Sequence, residues 1–99
     1  NISNQAVTYN TTNGDYMVAW RAPLAANDRY EIFGQRLTSA GVLIGGLGNE
    51  TQLSSISTTD KDASWPSLTY NPDDNEYFLS YHADAPNNND NNIYCQQYS

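Results

Sequence analysis

Residues 15–20, with the sequence DYMVAW, decide the fold, because they recur 61 positions later as EYFLSY at residues 76–81. Two more blocks repeat at this offset: TYN at residues 8–10 recurs at 69–71, and IFGQ at residues 32–35 recurs as IYCQ at 93–96. A fixed period of this length is typical of repeat proteins. The chain therefore divides into a first β repeat, residues 1–61, and a second, incomplete β repeat, residues 62–99.

Each repeat is predicted to consist of strands joined by polar turns. The predicted strands are residues 6–10, 15–20, 30–38, 42–44 and 53–57 in the first repeat, and 67–71, 76–81 and 91–98 in the second. Asn13-Gly14 and Asn71-Pro72 mark hairpin turns, because Asn and Gly tolerate positive φ and Pro presets the first turn position. Helical periodicity is absent from the sequence, so we expect an all-β fold with antiparallel strands.

The second strand of each repeat predicts the architecture, because both of its faces are largely apolar. In the first repeat these faces are Tyr16/Val18/Trp20 and Met17/Ala19. A strand of this kind is covered on both sides, as in a β-propeller blade packed between two neighbours, whereas a sandwich strand alternates between core and solvent. Gly34 and its repeat partner Cys95 then predict a tight contact between blades, with Cys95 as a small buried residue.

The motifs resemble those of bacterial secreted and cell-surface proteins built from tandem β repeats. The matching segments are Pro66 to Asn71, residues 15–20, Ile32 to Leu37, Gly41 to Gly45, and Ile56-Ser57. The resemblance implies propeller-like arrays in an extracellular or cell-surface setting, and it implies little about activity. The second repeat departs from the pattern at residues 95–98, CQQY, and has no Gly-x-x-x-Gly segment.

Charge and cysteine content exclude several classes of function. Eleven acidic against four basic residues give a net charge of −7, which disfavours nucleic acid and anionic membranes as partners and also keeps a tyrosine-rich β protein soluble. The single cysteine, Cys95, excludes an internal disulfide and a cysteine-based zinc site. No apolar run is long enough to span a membrane as a helix.

Aromatic residues and an amide-rich loop are the candidate ligand-binding residues. They are Trp20, Tyr30, Tyr81, Asn88 and Asp90, the last two within the loop at residues 87–92. Aromatic faces stack on sugar C–H groups, and amides and carboxylates hydrogen-bond hydroxyls, so this composition is compatible with carbohydrate binding. The alternative is that the aromatics are structural and the loop is simply low in complexity.

The sequence contains candidates for two other kinds of site, a Ca²⁺ site and N-glycosylation sites. Asp73, Asp74 and Glu76 form an acidic turn that offers oxygen ligands for Ca²⁺, with a plain solvated hairpin turn as the alternative. The N-glycosylation pattern occurs at Asn1, Asn10 and Asn49, of which Asn10 and Asn49 are expected in accessible turns, although a chain rich in Asn and Thr produces such matches by composition. We otherwise expect no cofactor.

The sequence predicts a non-enzymatic extracellular module for scaffolding, adhesion or carbohydrate binding. No carboxylates lie in a motif that suggests a glycosidase pair, and His82 is expected to be an ordinary residue of a surface loop. A propeller needs at least about four blades, so the chain is expected to self-associate or to belong to a longer repeat array. The alternative is a structural subunit of an extracellular filament or surface layer that polymerises through open strand edges.

Overall fold

The structure, a computed structural model, describes residues 3–24, 29–46, 50–55, 62–84 and 91–98. The elements in chain order are β1 (Ser3–Asn10), β2 (Asp15–Pro23), β3 (Tyr30–Thr38), β4 (Thr51–Gln52), β5 (Asp62–Asn71), β6 (Glu76–Asp84) and β7 (Asn91–Tyr98). Strands β1 to β4 pair in chain order as the first sheet, and β5 to β7 pair in chain order as the second. Every pairing is antiparallel, which confirms the all-β, antiparallel prediction.

The hairpin turns of the two sheets use the same side-chain chemistry. Asn10 ends β1, and its Oδ1 accepts a hydrogen bond from the backbone N–H of Thr12 at 2.9 Å. Asn71 ends β5, and its Oδ1 accepts from the N–H of Asp73 at 3.0 Å. An Asn that bonds the backbone two residues later stabilises a turn locally. The Asn therefore fixes where each hairpin reverses.

Unusual backbone geometry also recurs at the 61-residue offset. Gly14 and Asn75, at the ends of the two hairpin turns, have φ values of 74° and 52°. Asn4 and Trp65 have φ values of 52° and 55°, and each lies where the pairing register of the first strand of its sheet shifts. Such shifts are β-bulges, which bend a strand and re-aim a side chain. The repeat seen in the sequence thus extends to the irregular positions of the backbone.

Several element boundaries differ from the prediction. Strands β2 and β6 continue to Pro23 and Asp84, so His82, expected in a loop, lies within a strand. The strand predicted at residues 42–44 is wrong: Leu43 forms a single bridge to Leu37. Positive φ values at the flanking glycines, including 85° at Gly41, take this segment out of extended geometry.

The fourth strand of the first sheet lies earlier than predicted. It is Thr51–Gln52, not residues 53–57, of which 56–57 lie outside the described residues. Leu53 still follows the edge of β3, because its N–H donates to the carbonyl oxygen of Ile32 at 2.7 Å. The outer part of the first sheet is therefore short and partly irregular.

The core lies between the two sheets. Its buried residues are Met17, Ala19, Ile32 and Leu53 from the first sheet and its outer segment, and Ala63, Tyr77, Leu79, Tyr81 and Ala83 from the second. In β2 the buried face is the Met17/Ala19 face, whereas in β6 it is the Tyr77/Leu79/Tyr81 face. The repeat equivalents of the latter are Tyr16, Val18 and Trp20, which lie on the opposite side of β2. Within one chain, therefore, each second strand has only one face against the other sheet.

The predicted tight contact between blades is not found at Gly34, and the prediction that Cys95 is buried is wrong. A Cβ on Gly34 would lie 2.7 Å from both Leu53 Cδ1 and Met17 Cε, so Gly34 is closely packed against side chains of its own repeat, which would have to shift to admit a larger residue. Cys95 pairs with Ser80, on the face of the second sheet that points away from the first. It is exposed for that reason.

Candidate functional site

Trp65 is the most exposed aromatic side chain among the described residues, at 67% of its full accessible surface. Its φ of 55° lies in the left-handed region, which is unusual for a bulky residue. It also precedes Pro66, and residues before proline normally adopt extended geometry with negative φ. Asn4 occupies the equivalent position of the first repeat, and Asn tolerates this conformation well. Local backbone preference alone would not place a tryptophan here.

A shallow pocket of about 440 Å³ surrounds Trp65 and is also lined by Asn4, Gln5 and Pro66. It forms where β1 and β5, the first strands of the two sheets, approach each other. The backbone N–H of Trp65 donates to Asn4 Oδ1 at 3.3 Å, which links the two bulges. The pocket thus combines an exposed indole with amide side chains, the groups that stack on and hydrogen-bond to a sugar ring.

Sequence reasoning missed Trp65 because the repeat alignment pairs it with a residue of different character. The available signal was that difference: an aromatic residue replaces Asn4 immediately before a proline. The bulge that turns the indole outward was not visible without the pairing of β5 with β6.

The aromatic residues proposed from the sequence do not come together in one site. Trp20 is half-buried on the outer face of the first sheet, whereas Tyr81 is only 3% exposed and lies in the core. Tyr81 stacks on Tyr94 with ring centroids 5.7 Å apart. Burial raises the pKa of Tyr81 to about 12, so its hydroxyl keeps its proton at neutral pH. Tyr81 is thus packed inside the protein and does not line an open pocket.

Tyr30 begins β3 and is held by two contacts. The Arg21 guanidinium carbon lies 3.7 Å from its ring centroid, a cation–π geometry. Its backbone N–H donates to Asp62 Oδ1 at 3.0 Å, which ties β3 to the start of β5. These contacts fix its position at the junction between the sheets. The remaining proposed ligand residues, Asn88 and Asp90, lie outside the described residues.

A polar network crosses between the sheets at their turn end. Asp15 accepts hydrogen bonds from Arg36 Nη2 and from the Tyr77 hydroxyl, the latter at 3.1 Å. The bond to Asp15 raises the pKa of Arg36. Asn10 Nδ2 donates to the Tyr77 hydroxyl at 3.2 Å, and burial raises the pKa of Tyr77. These bonds satisfy most of the polar groups that the packing buries, although Arg36 Nε has no hydrogen-bond partner among the described residues, so the network is structural.

The same network accounts for Asn10, which was expected to be an accessible glycosylation site. The side chain is 1% exposed, and both its oxygen and its nitrogen are hydrogen-bonded within the protein. The expected accessibility is therefore not observed at Asn10. Asn1 and Asn49 lie outside the described residues.

Asp15 and Glu31 are the buried carboxylates among the described residues. Asp15 is the first residue of β2, whereas Glu31 pairs with Ala22 near the other end of β2. Ser54 Oγ donates to Glu31 Oε1 at 2.5 Å. Seven residues of strand separate the two positions, roughly 23 Å at 3.3 Å per residue. Glycosidase carboxylates lie within about 10 Å of each other. These two acids therefore do not form such a pair.

The acidic turn proposed for Ca²⁺ is exposed at Asp73 and Asp74. Asn71 Nδ2 donates to Asp74 Oδ2 at 3.2 Å, a contact within the turn. In the part of the chain that the structure describes, no three His, Cys, Asp or Glu side chains are grouped so as to hold a metal ion. Ca²⁺ binding at Asp73, Asp74 and Glu76 stays a prediction.

Among the described residues, no helix has the length and apolar character needed to cross a membrane. No family model, curated protein or solved structure matches the chain.

Proposed function

We propose that this chain is a non-enzymatic extracellular β-repeat module that binds carbohydrate, with the indole of Trp65 as the stacking surface. The observation that carries this proposal is an exposed tryptophan held at positive φ, where its repeat counterpart is asparagine. Residues in costly backbone conformations concentrate at binding sites, because the surrounding structure must compensate for them. Scaffolding and adhesion follow from the same activity if the bound glycan belongs to a surface.

Within this proposal the two sheets are blades of a propeller-type array. The support is that two antiparallel meanders stack face to face and approach each other most closely along their first strands, β1 and β5. Blades around a central axis have this arrangement. The Trp65 pocket, formed by the same two strands, would then open at the axis end of the blades.

The net charge of the chain limits the class of sugar that we expect it to bind. A chain with a net charge of −7 repels polyanionic glycans at long range, whereas neutral saccharides are unaffected. The pocket residues Asn4, Gln5, Trp65 and Pro66 carry no formal charge. We therefore expect neutral oligosaccharides to be the ligands.

The test uses an array of neutral oligosaccharides, followed by calorimetric titration of the best binder. Trp65→Asn removes the indole and installs the residue that the first repeat uses at this position. We expect this variant to lose binding and to gain about 1 kcal/mol in free energy of unfolding, because the strain at positive φ is relieved. Trp20→Phe is the matched control and should bind as the parent does.

Two results would contradict the proposal. One is that the parent chain binds no glycan on the array. The other is that Trp65→Asn binds normally. If Trp20→Phe then fails to bind, the site lies on the outer face of the first sheet instead. Since both variants report on folding through their thermal transitions, loss of binding by unfolding is recognised directly.

A filament or surface-layer subunit is the second candidate function. The observation that favours it is β7, which pairs only with β6 in the described part of the chain and so leaves a strand edge open. An open edge is a template for another strand. Continued growth of particle mass with concentration, measured by light scattering, would support this candidate.

A further inference from the structure

The outer face of the first sheet is largely apolar but is not covered by the second sheet. Its side chains include Val7, Tyr9, Tyr16, Val18, Trp20 and Phe33. Val7 is 61% exposed and Tyr9 42%, while Val18, Trp20 and Phe33 are partly buried by their neighbours. Gln5 and Gln35 lie on the same face beside Trp20 and Val18, so the face is largely apolar with two amide side chains. A largely apolar exposed face commonly marks an interaction surface.

The second sheet shows what this face can do, because the same face of its repeat is already packed. The equivalents of those six residues, 61 positions later, are Leu68, Tyr70, Tyr77, Leu79, Tyr81 and Tyr94. All six are buried in the core or packed against it. The surface that covers them is the Met17/Ala19 face of the first sheet. The chain therefore already forms this interface once, between its own two sheets.

The second sheet carries a surface equivalent to the Met17/Ala19 face of the first sheet. The outer face of the second sheet carries Phe78, Ser80, Ile93 and Cys95, which are the repeat equivalents of Met17, Ala19, Ile32 and Gly34. Phe78 and Ile93 are 39% and 70% exposed. Met17 and Phe78 are both large and apolar, Ile32 and Ile93 are identical, and Ala19 and Ser80 are both small. Cys95 has room that Gly34 lacks, since no described residue of the second sheet corresponds to Leu53, which closes over Gly34.

Polar groups at the turn end are duplicated in the same register. Within the chain, the Tyr77 hydroxyl bonds to Asn10 and Asp15. Their equivalents are Tyr16 on the open face of the first sheet, and Asn71 and Glu76 at the turn end of the second. Docking between copies would therefore give the Tyr16 hydroxyl the partners that Tyr77 already has. This match sets the register of the contact.

We infer that the chain binds a second copy of itself head to tail, with the outer face of the first sheet (the Val18 face) docked on the outer face of the second sheet (the Phe78 face) of its neighbour, and that the assembly closes into a ring. The inference goes beyond glycan binding and does not depend on it. The contact is heterologous, because it joins two different faces of the same chain. It repeats between chains the packing that already exists within each chain.

Closure follows from the wedge shape of the sheet pair. The backbones approach most closely at β1 and β5. Between the outer strands lies a cleft of about 280 Å³, lined in part by Gly34 and bridged by the hydrogen bond from the Tyr98 hydroxyl to the Leu53 carbonyl oxygen. Repeating a wedge around its narrow edge turns through a full circle. Propellers close with about 4–8 blades, so rings of roughly two to four chains are expected.

The experiment uses the full chain and two charge variants. Val18→Glu places a carboxylate on the Val18 face, and Phe78→Glu places one on the Phe78 face. Light scattering after size exclusion should give a mass of two to four chains for the parent and of one chain for each variant. Ser39→Glu, in an exposed turn away from both faces, is the matched control and should assemble as the parent does.

Mixing the two variants tests the head-to-tail geometry directly. Each variant keeps the face that the other has lost, so an equimolar mixture should form a single contact and give a mass of two chains. Circular dichroism confirms that each variant is folded before it is mixed. A parent of one-chain mass, a mass that grows without limit, or a mixture that stays at one chain would each overturn the inference.

Discussion

Strands β2 and β6 have the same pattern of residues but bury opposite faces. In β6, Tyr77, Leu79 and Tyr81 lie in the core, whereas their equivalents in β2 point away from the second sheet. The sequence pattern gives both strands two apolar faces, and within one chain only one face of each meets a partner. The comparison shows that an apolar face is able to pack against a partner, and that it is buried only where a neighbouring sheet lies against it.

The tyrosine pairs of the two sheets make the same point. Tyr9 and Tyr16 meet with ring centroids 5.0 Å apart and planes at 60°, and Tyr70 and Tyr77 meet at 5.5 Å and 57°. Cross-strand pairing therefore reproduces the local geometry in both sheets. In the second sheet, however, Tyr77 is 3% exposed, whereas Tyr16 is 38% exposed. The two sheets therefore share the local contacts between these tyrosines but differ in how far they bury them.

The largest contrast between the two faces is expected for truncation of the central aliphatic residue. Leu79 is fully buried, so Leu79→Ala should lower the free energy of unfolding by about 2–5 kcal/mol, through lost burial and the cavity that remains. Val18→Ala, at the equivalent position, should cost less than about 1 kcal/mol in the isolated chain. Urea denaturation of dilute protein measures both values. Equal costs would mean that the two faces are buried alike in a single chain.

The second contrast uses the central small residue of β3 and its counterpart in β7. Gly34→Val forces a side chain into the space held by Leu53 and Met17 and should destabilise the protein by about 1–3 kcal/mol. Cys95→Val adds volume on the exposed face of the second sheet and should leave the stability of the isolated chain nearly unchanged. Thermal unfolding monitored by circular dichroism tests the pair. A larger effect at Cys95 would reverse the assignment of inner and outer faces.

The smallest effect is expected in alkaline solution, where tyrosines ionise. The pKa of Tyr81 is raised from 10.0 to about 12 by burial, so the folded protein holds this proton more tightly than the unfolded chain does. The stability contributed by this proton is fully present below pH 10 and is lost as the pH rises towards 12. By pH 11 the loss should be about 1 kcal/mol from Tyr81 alone. Tyr81→Phe should remove this part of the decline.

The parent chain is the reference for that titration. If Tyr81→Phe shows the same decline as the parent, the buried hydroxyl of Tyr81 is not its source.

Much of the fold was predictable from the residues. The bounds of β3 and β7 agree with the prediction, because each strand follows a run of polar residues in the sequence, Asn27-Asp28-Arg29 before β3 and residues 87–90 before β7. The last strand of the first sheet was predicted at the wrong residues. The glycines before it do not favour one pairing register, so contacts with β3 determine which residues pair. The candidate site was predicted less well, since Trp65 depends on a bulge and Tyr81 depends on the packing of a whole sheet.

The sequence by itself determined the repeat, the antiparallel hairpins and the chemistry of their turns. These features depend on residues that are neighbours in the chain or directly across a hairpin, so local patterns are sufficient to encode them. Only the tertiary structure decided which apolar face is buried, that Cys95 is exposed, and that Trp65 points outward at the junction of β1 and β5. These outcomes depend on which sheet lies against which, and residues 61 positions apart with the same pattern meet different neighbours.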